Sequence, residues 1–426
     1  MAIHLVSAID APDYGAEIVR IGDLNGDGAP DLLMAQSEYG PRTIQCLTAV
    51  TIHGERLWQV GTGSPSFGRV YSDLPVQIFD WDGDGVNEVV YVRQAEYLEF
   101  KDGGPLNYRE RAIRYGGLAA LVVLDGLTGR EKQVLPIPAP ADDSFLFADL
   151  TGRGRREDFV VKDRYWNMWG IAKTGEVLWQ WQGSPGHYPA IADVDGDGRD
   201  EVFVGYALID HDGRPLFQHD WGDSHQDAAY IARAANGDWR LLFGNGGVHC
   251  LSLAGDVLWH HPLYEAQHVV AGKYRADSHL QVAVIDRGHP RTPEGKPADL
   301  YLYDLDTGEE IWRKAQPKGG WIAAAMDIRW RGVDNLKDIL VYERGEGQPA
   351  AIYDGNGEII DELPVPPEMC AVYHGNPGIH LCYRADVYGD SREEVVMAGW
   401  KGVRIYANAR ALDIAALYNS TGYHGM

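Results

Sequence analysis

Three histidines stand at the same point of three consecutive stretches: His187 in GSPGHYPAIAD, His225 in GDSHQDAAYIA and His268 in EAQHVVAGKY, each just before a short apolar run. Tyr188 accompanies the first, and His380 in PGIHLCYRAD is the counterpart near the C-terminus. A second set follows apolar runs: Arg164 and Tyr165 in VVKDRYWNMW, Tyr206, Asn245, Arg287 in VIDRGHPR, Arg344 and Trp400. These residue types suit proton transfer beside a stabilised anion. A cation neutralises a carboxylate and so acidifies the neighbouring carbon, a neutral His or an ionised Tyr takes the proton, and a Tyr or His protonates the leaving oxygen. On a uronic acid that chemistry is β-elimination. The catalytic candidates are His187, His225, His268, Arg164, Tyr165, Tyr188 and Arg287, with Tyr206, Asn245, Arg344, His380 and Trp400 as substrate-binding candidates. Alone, each has a structural reading as a capped strand start or a solvated cation. Their registered recurrence favours function.

A different constellation binds metal. Asp23, Asn25, Asp27 and Asp31 place oxygens at positions 1, 3, 5 and 9 of a Gly-containing turn, as do Asp80, Asp82, Asp84 and Glu88, and Asp193, Asp195, Asp197 and Glu201. Alternate residues of a tight loop converge on one point, and that many hard oxygens suit Ca²⁺. Position 12, a bidentate Glu in an EF-hand, is Met34, Tyr91 or Val204, so these are not EF-hands. In a fourth copy, at Asp149, Thr151 and Arg153 replace ligands and argue for a metal-free loop. The expected role of the calcium is structural, a clip between two strands.

The elements that carry both sets repeat. An apolar strand, an Asp-rich loop and a second apolar strand recur from Ile18, Val76 and Ala190, with weaker copies from Phe145, Tyr230, Val270, Ala323 and Cys382. Each copy leads into a turn flanked by amphipathic strands, as in TIHGERLWQV, AKTGEVLWQW, SLAGDVLWHH and YDLDTGEEIWRK. Four short strands per unit of about 40–55 residues describe a propeller blade. The expectation is an all-β, eight-bladed propeller of four-stranded antiparallel blades, with seven blades as the alternative. It forms one domain over residues 1–426, and the N-terminal strand IHLVSAID closes the last blade. Only ALDIAALYN near the C-terminus reads as helical. Strand alternation puts residues before each inner strand and after each second strand on one face, away from the Asp loops.

Composition narrows the partners. The 426 residues carry 62 acidic against 38 basic side chains, a net charge of −24 that opposes nucleic acid and anionic membranes. An anionic substrate would need a local cationic cluster. Cys46, Cys250, Cys370 and Cys382 show no zinc spacing; Cys370 and Cys382 could pair, though reduced buried thiols are favoured. No apolar run approaches roughly 18 residues, and MAIHLVS lacks the basic and apolar regions of a signal peptide, so a cytoplasmic location is expected. No Ser-His-Asp pattern, P-loop or dinucleotide fingerprint is present.

The stretch WQGSPGHYPAIADVDGDGRDEVFVGYALIDHDG, Trp181 to Gly213, resembles the part of rhamnogalacturonan lyases in which a His precedes an Asp-rich calcium loop, and DWGDSHQDAAYIA resembles their following blade. As a repeat pattern the resemblance covers most of the chain, and it is specific over about residues 162–271. It implies a propeller lyase with bound calcium and a His/Arg/Tyr centre acting on rhamnose- and uronate-containing oligo- or polysaccharides. Rhamnogalacturonan and rhamnose–glucuronate types both lie within that wider group. Two alternatives stand beside it. Similar Asp-rich repeats occur in adhesion and lectin-like propellers, which bind glycan or protein without chemistry. A glycoside hydrolase would need two opposed carboxylates, and Asp163, Asp223, Asp227 and Glu343 form no clear pair.

Overall fold

The computed structural model describes residues 3–38, 43–64, 73–100, 114–143, 145–221, 226–287, 298–315, 323–332, 335–343, 349–366, 369, 371–373 and 376–410. Among them are thirty-five strands, numbered β1 to β35 along the chain, and no helix long and apolar enough to cross a membrane. The strands form eight antiparallel blades. The first runs outward as β2 (Ile18–Gly22), β3 (Asp31–Ser37), β4 (Ile44–Thr51) and β5 (Arg56–Gly61). In the second, β6 (Val76–Phe79), β7 (Glu88–Gln94), β10 (Ala119–Asp125) and β11 (Glu131–Ile137) make the blade, and β8 (Leu98–Phe100) with β9 (Arg114–Gly116) form a separate hairpin.

The third blade is β12 (Leu146–Ala148), β13 (Asp158–Lys162), β14 (Asn167–Ile171) and β15 (Val177–Gln182). The fourth is β16 (Ala190–Ala192), β17 (Glu201–Phe203), β18 (Ala207–Ile209) and β19 (Pro215–Gln218). The ring closes in the eighth blade as expected. There β1 (Ile3–Asp10) pairs antiparallel with β35 (Gly402–Asn408), Ile3 opposite Asn408, and supplies the outermost strand. The proposed C-terminal helix lies outside the described residues.

The second strand of each blade is apolar on both faces because it is sandwiched between neighbouring blades. Every residue of β3 and β13 is buried. Burial of such strands drives assembly, at about 25 cal/mol for each Å² of apolar surface removed from water. Blades are then latched by tryptophan. Trp58, Trp179, Trp259 and Trp312, each on an outermost strand, donate their indole N–H to Gly126, His211, Leu305 and Gly355 carbonyls in the next blade, at 2.6–3.0 Å. The indole lies on a turn glycine of that blade. A Cβ on Gly213, whose φ is +84°, would come within 2.7 Å of Trp179. The recurring W of the LWQ, LWH and IWR triplets is therefore the seam between blades.

Antiparallel register fixes the faces. Ala148 pairs with Asp158 and Leu146 with Val160, so the loop at 149–157 lies at one end of the third blade, while residues before 146 and after 162 meet at the other. The backbone N–H of Asp142 donates to the Lys162 carbonyl at 2.9 Å and confirms that meeting.

Candidate functional site

The turn after β13 is built by one buried carboxylate. Asp163 accepts from the backbone N–H of Trp166 (2.9 Å) and Asn167 (2.7 Å) and from the Asn167 amide (2.7 Å), which rolls DRYWN into a tight loop. Burial raises the Asp163 carboxyl to about 6, although these bonds oppose the shift. The loop presents Arg164 and Tyr165 towards the segment before β12 on one side and the segment before β16 on the other.

There the side chains form a hydrogen-bonded row. Tyr165 Oη lies 3.0 Å from His187 Nε2, and His187 Nδ1 lies 2.8 Å from Asp143 Oδ2. An ionised Asp accepts only, so Nδ1 carries the proton and donates to Asp143, leaving Nε2 to accept from the Tyr165 hydroxyl. Asp143 is 1% exposed and has a φ of +54°. Non-glycine residues in that left-handed region cost of order 1–3 kcal/mol and cluster at functional sites. The neighbouring Asp142 accepts from Tyr115 Oη of the β8–β9 hairpin (2.8 Å) and from Arg164 Nη1 (3.1 Å). The ammonium of Lys162, nearly inaccessible to water, sits 3.6 Å from both Asp142 and Asp143. Burial and the two nearby aspartates push the Tyr165 phenol well above its ordinary range, against the pull of Arg164. It therefore holds its proton at neutral pH, and the ionised-Tyr option of the sequence reading gives way to a protonated phenol.

Blades five and six complete the wall. Asp227, before the fifth blade's inner strand, lies 3.9 Å from His187 Nε2 and accepts from the Gln267 amide at 3.2 Å. A cleft of about 40 Å³ lined by Lys162, His187, Tyr188 and Pro189 opens beside the row. Tyr188, 37% exposed, offers an aromatic surface there, its ring 6.3 Å from that of His187.

Other candidates are placed differently. A bulge between Ala266 and His268 puts Gln267 on Asp227; His268 is half-buried in its strand. Arg287 is bonded to Glu265, with Nε 3.1 Å from Oε2. Tyr206 and His380 were expected on the face, but they are 2% and 1% exposed. The Tyr206 hydroxyl donates inward to the Ser184 carbonyl, and the His380 ring packs 5.8 Å from Tyr342. Asn245 ends a strand beside a hairpin turn, and Trp400 is half-buried with the Lys401 ammonium 5.8 Å over its ring. His225 and Arg344 lie outside the described residues. Asp142, Asp143, Lys162 and Gln267 were missed. Only the Asp-Asp pair before an inner strand offered a sequence cue.

The Asp loops lie on the opposite face. In each, the first Asp accepts from backbone N–H groups three and five residues on, as Asp193 does from Gly196 (2.7 Å) and Gly198 (3.1 Å). The weaker copy from Cys382 does the same at Asp386, which accepts from Gly389 and Ser391. The fit to a cation is clearest in the fourth blade. Glu201 is fully buried; its Oε2 accepts from the Val194 N–H at 2.8 Å while Oε1 has no hydrogen-bond partner. Cys46 and Cys250 are free and buried, Cys382 is buried, and Cys370 is outside the described residues.

The eight-bladed propeller thus carries a Tyr–His–Asp row on one face and Asp-rich loops on the other, and comparison with known proteins gives it relatives. A family model described as rhamnogalacturonan lyase family 11, C-terminal domain, matches residues 158–237, the stretch that carries Lys162, Arg164, Tyr165, His187 and Asp227. The rhamnogalacturonan endolyase YesW of Bacillus subtilis (strain 168) is 28% identical over 265 residues, which cover 51% of this chain and 41% of that protein. The exolyase YesX of the same organism is 23% identical over an alignment covering 90% of this chain and 69% of its own. The crystal structure of YesW superposes with a TM-score of 0.65 at 19% identity over 97% of this chain and 77% of that one. The Vibrio cholerae biofilm matrix protein Bap1, at 14% identity, shares the fold with a TM-score of 0.61 over 96% of this chain and 91% of its own. The chain is thus similar to rhamnogalacturonan lyases over the segment that carries this row, and its match spans less than half of the first of these curated relatives.

Proposed function

We propose that the chain is a polysaccharide lyase that splits the bond between rhamnose and a uronic acid by β-elimination. The observation that carries this reading is the Tyr165–His187–Asp143 row beside Lys162 and Arg164. Asp143 holds His187 in the tautomer whose Nε2 is a base. Nε2 takes the C5 proton of the uronate, the C4–C5 double bond forms as the C4–O bond breaks, and the Tyr165 hydroxyl protonates the departing oxygen. The imidazolium then returns its proton to the Tyr165 phenolate across their shared hydrogen bond. Lys162 and Arg164, held in place by Asp142 and Asp143, offer N–H donors to the uronate carboxylate, and that pairing makes the C5 proton more acidic. Two relatives named as rhamnogalacturonan lyases support this substrate class. Hydrolysis is disfavoured because Asp142 and Asp143 are engaged with Lys162, Arg164 and His187 instead of facing each other across a cleft.

Calcium belongs to the same reading. The loops at Asp23, Asn25, Asp27 and Asp31 and at Asp193, Asp195, Asp197 and Glu201 offer it oxygens, with the partnerless Glu201 Oε1 as the strongest support. Its role is to clip strands, away from the chemistry.

The deciding experiment incubates the protein with rhamnose–uronate oligosaccharides and follows the ultraviolet absorbance of an unsaturated uronate, with product masses alongside. Elimination adds no water across the two fragments. His187→Ala should lower turnover by about 10²–10⁴-fold with an unchanged melting temperature. Products that have gained water would end the lyase reading.

A further inference from the structure

The three Asp loops that look alike in sequence are not alike in charge. In the second blade the Lys132 ammonium, on β11, lies 2.7 Å from Asp82 Oδ2 and 2.7 Å from Glu88 Oε1. These are two of the oxygens a metal would need. Arg155, reaching across from the third blade's metal-free loop, donates to the Asp80 carbonyl and lies 3.4 Å from Asp80 Oδ2. The fourth blade supplies the control. Glu88 and Glu201 occupy the same position of their loops, are equally buried, and each uses Oε2 to accept a backbone N–H at 2.8 Å, from Trp81 and Val194. The other oxygen, Oε1, is bonded to Lys132 in one and partnerless in the other.

Register identifies the residue responsible. In all three blades a β-bulge sets the outer strand: Leu124 pairs with Glu131, Val50 with Arg56 and Ile209 with Pro215. The next residue is Lys132 in the second blade, Leu57 in the first and Leu216 in the fourth. A single side chain at one register position thus decides whether a loop contains its own cation. In the fourth blade the Arg199 guanidinium and the His211 ring stay 3.6 Å from Asp197 Oδ2, beyond hydrogen-bond reach.

We infer that Lys132 is a built-in substitute for the metal ion, so that the Asp80–Glu88 loop is a permanently filled cation site while the loops of the first and fourth blades take Ca²⁺. The inference rests on the calcium reading of those two loops. An ammonium with three donors satisfies two carboxylates as a point charge and needs no ion from solution. A Ca²⁺ entering the same oxygens would have to expel a like charge and take over both its carboxylates. The second blade is therefore closed by a covalently attached cation, and its stability is indifferent to chelators.

The test is Ca²⁺ titration of the full chain, read by bound metal per chain and by melting temperature, in the native protein and in Lys132→Met. The variant is expected to bind one equivalent more than the native protein, and that equivalent should vanish when Asp84→Asn is added, which keeps the turn's hydrogen-bond acceptor. Asp84→Asn alone should leave the native stoichiometry unchanged. Lys132→Gln, which keeps a polar neutral donor, guards against a misfolded Met variant and should gain the same equivalent. No gain in either variant, or loss of a bound calcium from the native chain on Asp84→Asn, overturns the inference. If the native chain binds no calcium but Lys132→Met does, the substitution by Lys132 stands and the calcium reading of the other two loops falls.

Discussion

Asp143 touches no substrate in the proposed reaction, yet it fixes which nitrogen of His187 carries the proton. Asp143→Asn tests that role cleanly, because Asn adopts the left-handed conformation at least as readily and the backbone at φ +54° is retained. Turnover should fall by about 10²–10⁴-fold, with substrate affinity little changed and the pH profile shifted because the imidazolium is no longer stabilised. A second titrating residue lies outside this row. His249 stacks between Phe243 and His260, at centroid distances of 4.4 and 4.2 Å, and burial lowers it from 6.5 to about 4. The folded protein then binds fewer protons than the unfolded chain between those values, so the contribution of His249 is present above pH 6.5 and is lost as pH falls towards 4. His249→Phe keeps the stack and should flatten the acid side of the stability curve, measured by denaturant melts across that range. His187 and the DRYWN turn were legible in sequence because they sit at fixed offsets from strands. Asp143 and Lys162 were not, because the partners of a buried charge are set by which blades touch.

At the scale of the blade, the indole seam is the feature most exposed to mutation. Gly213 lies beneath Trp179 with φ +84°, so Gly213→Ala brings both backbone strain and a Cβ contact at 2.7 Å. A loss of more than about 1 kcal/mol follows from the φ alone, read as a lower melting temperature. Gly198→Ala shares the positive φ but meets nothing within 4 Å, and it should cost less. The strands themselves were readable from alternating apolar runs and turn glycines, and the eight-fold count survived even where the Asp loops had decayed. What sequence hid was the bulge at Ala266/His268: one extra residue shifts the register and places Gln267 against Asp227. The bulge also explains why two residues adjacent in the chain can look equally eligible from spacing alone.

At the scale of the whole molecule, the calcium proposed for the Asp loops and the net charge bear on the same stability. A ligand held only by the folded state adds about 2.7 kcal/mol at a hundredfold excess over its Kd. Chelation should therefore lower the melting temperature, and added calcium should restore it. The effect should be larger in dilute buffer, where a net charge of −24 repels itself most strongly. An unchanged melt after exhaustive chelation removes the claim. The closing strand sets a further condition. Ile3 of β1 is opposite Asn408 of β35, so β1 finds its partner only after the seven blades between them have been made. During synthesis β1 must wait as an unmated edge while seven blades form beside it, and any product ended before Gly402 leaves it waiting permanently. The ring thereby reports on its own completion: a ribosome that stalls late yields an open molecule with a sticky edge, the species that quality-control proteases and chaperones are equipped to find.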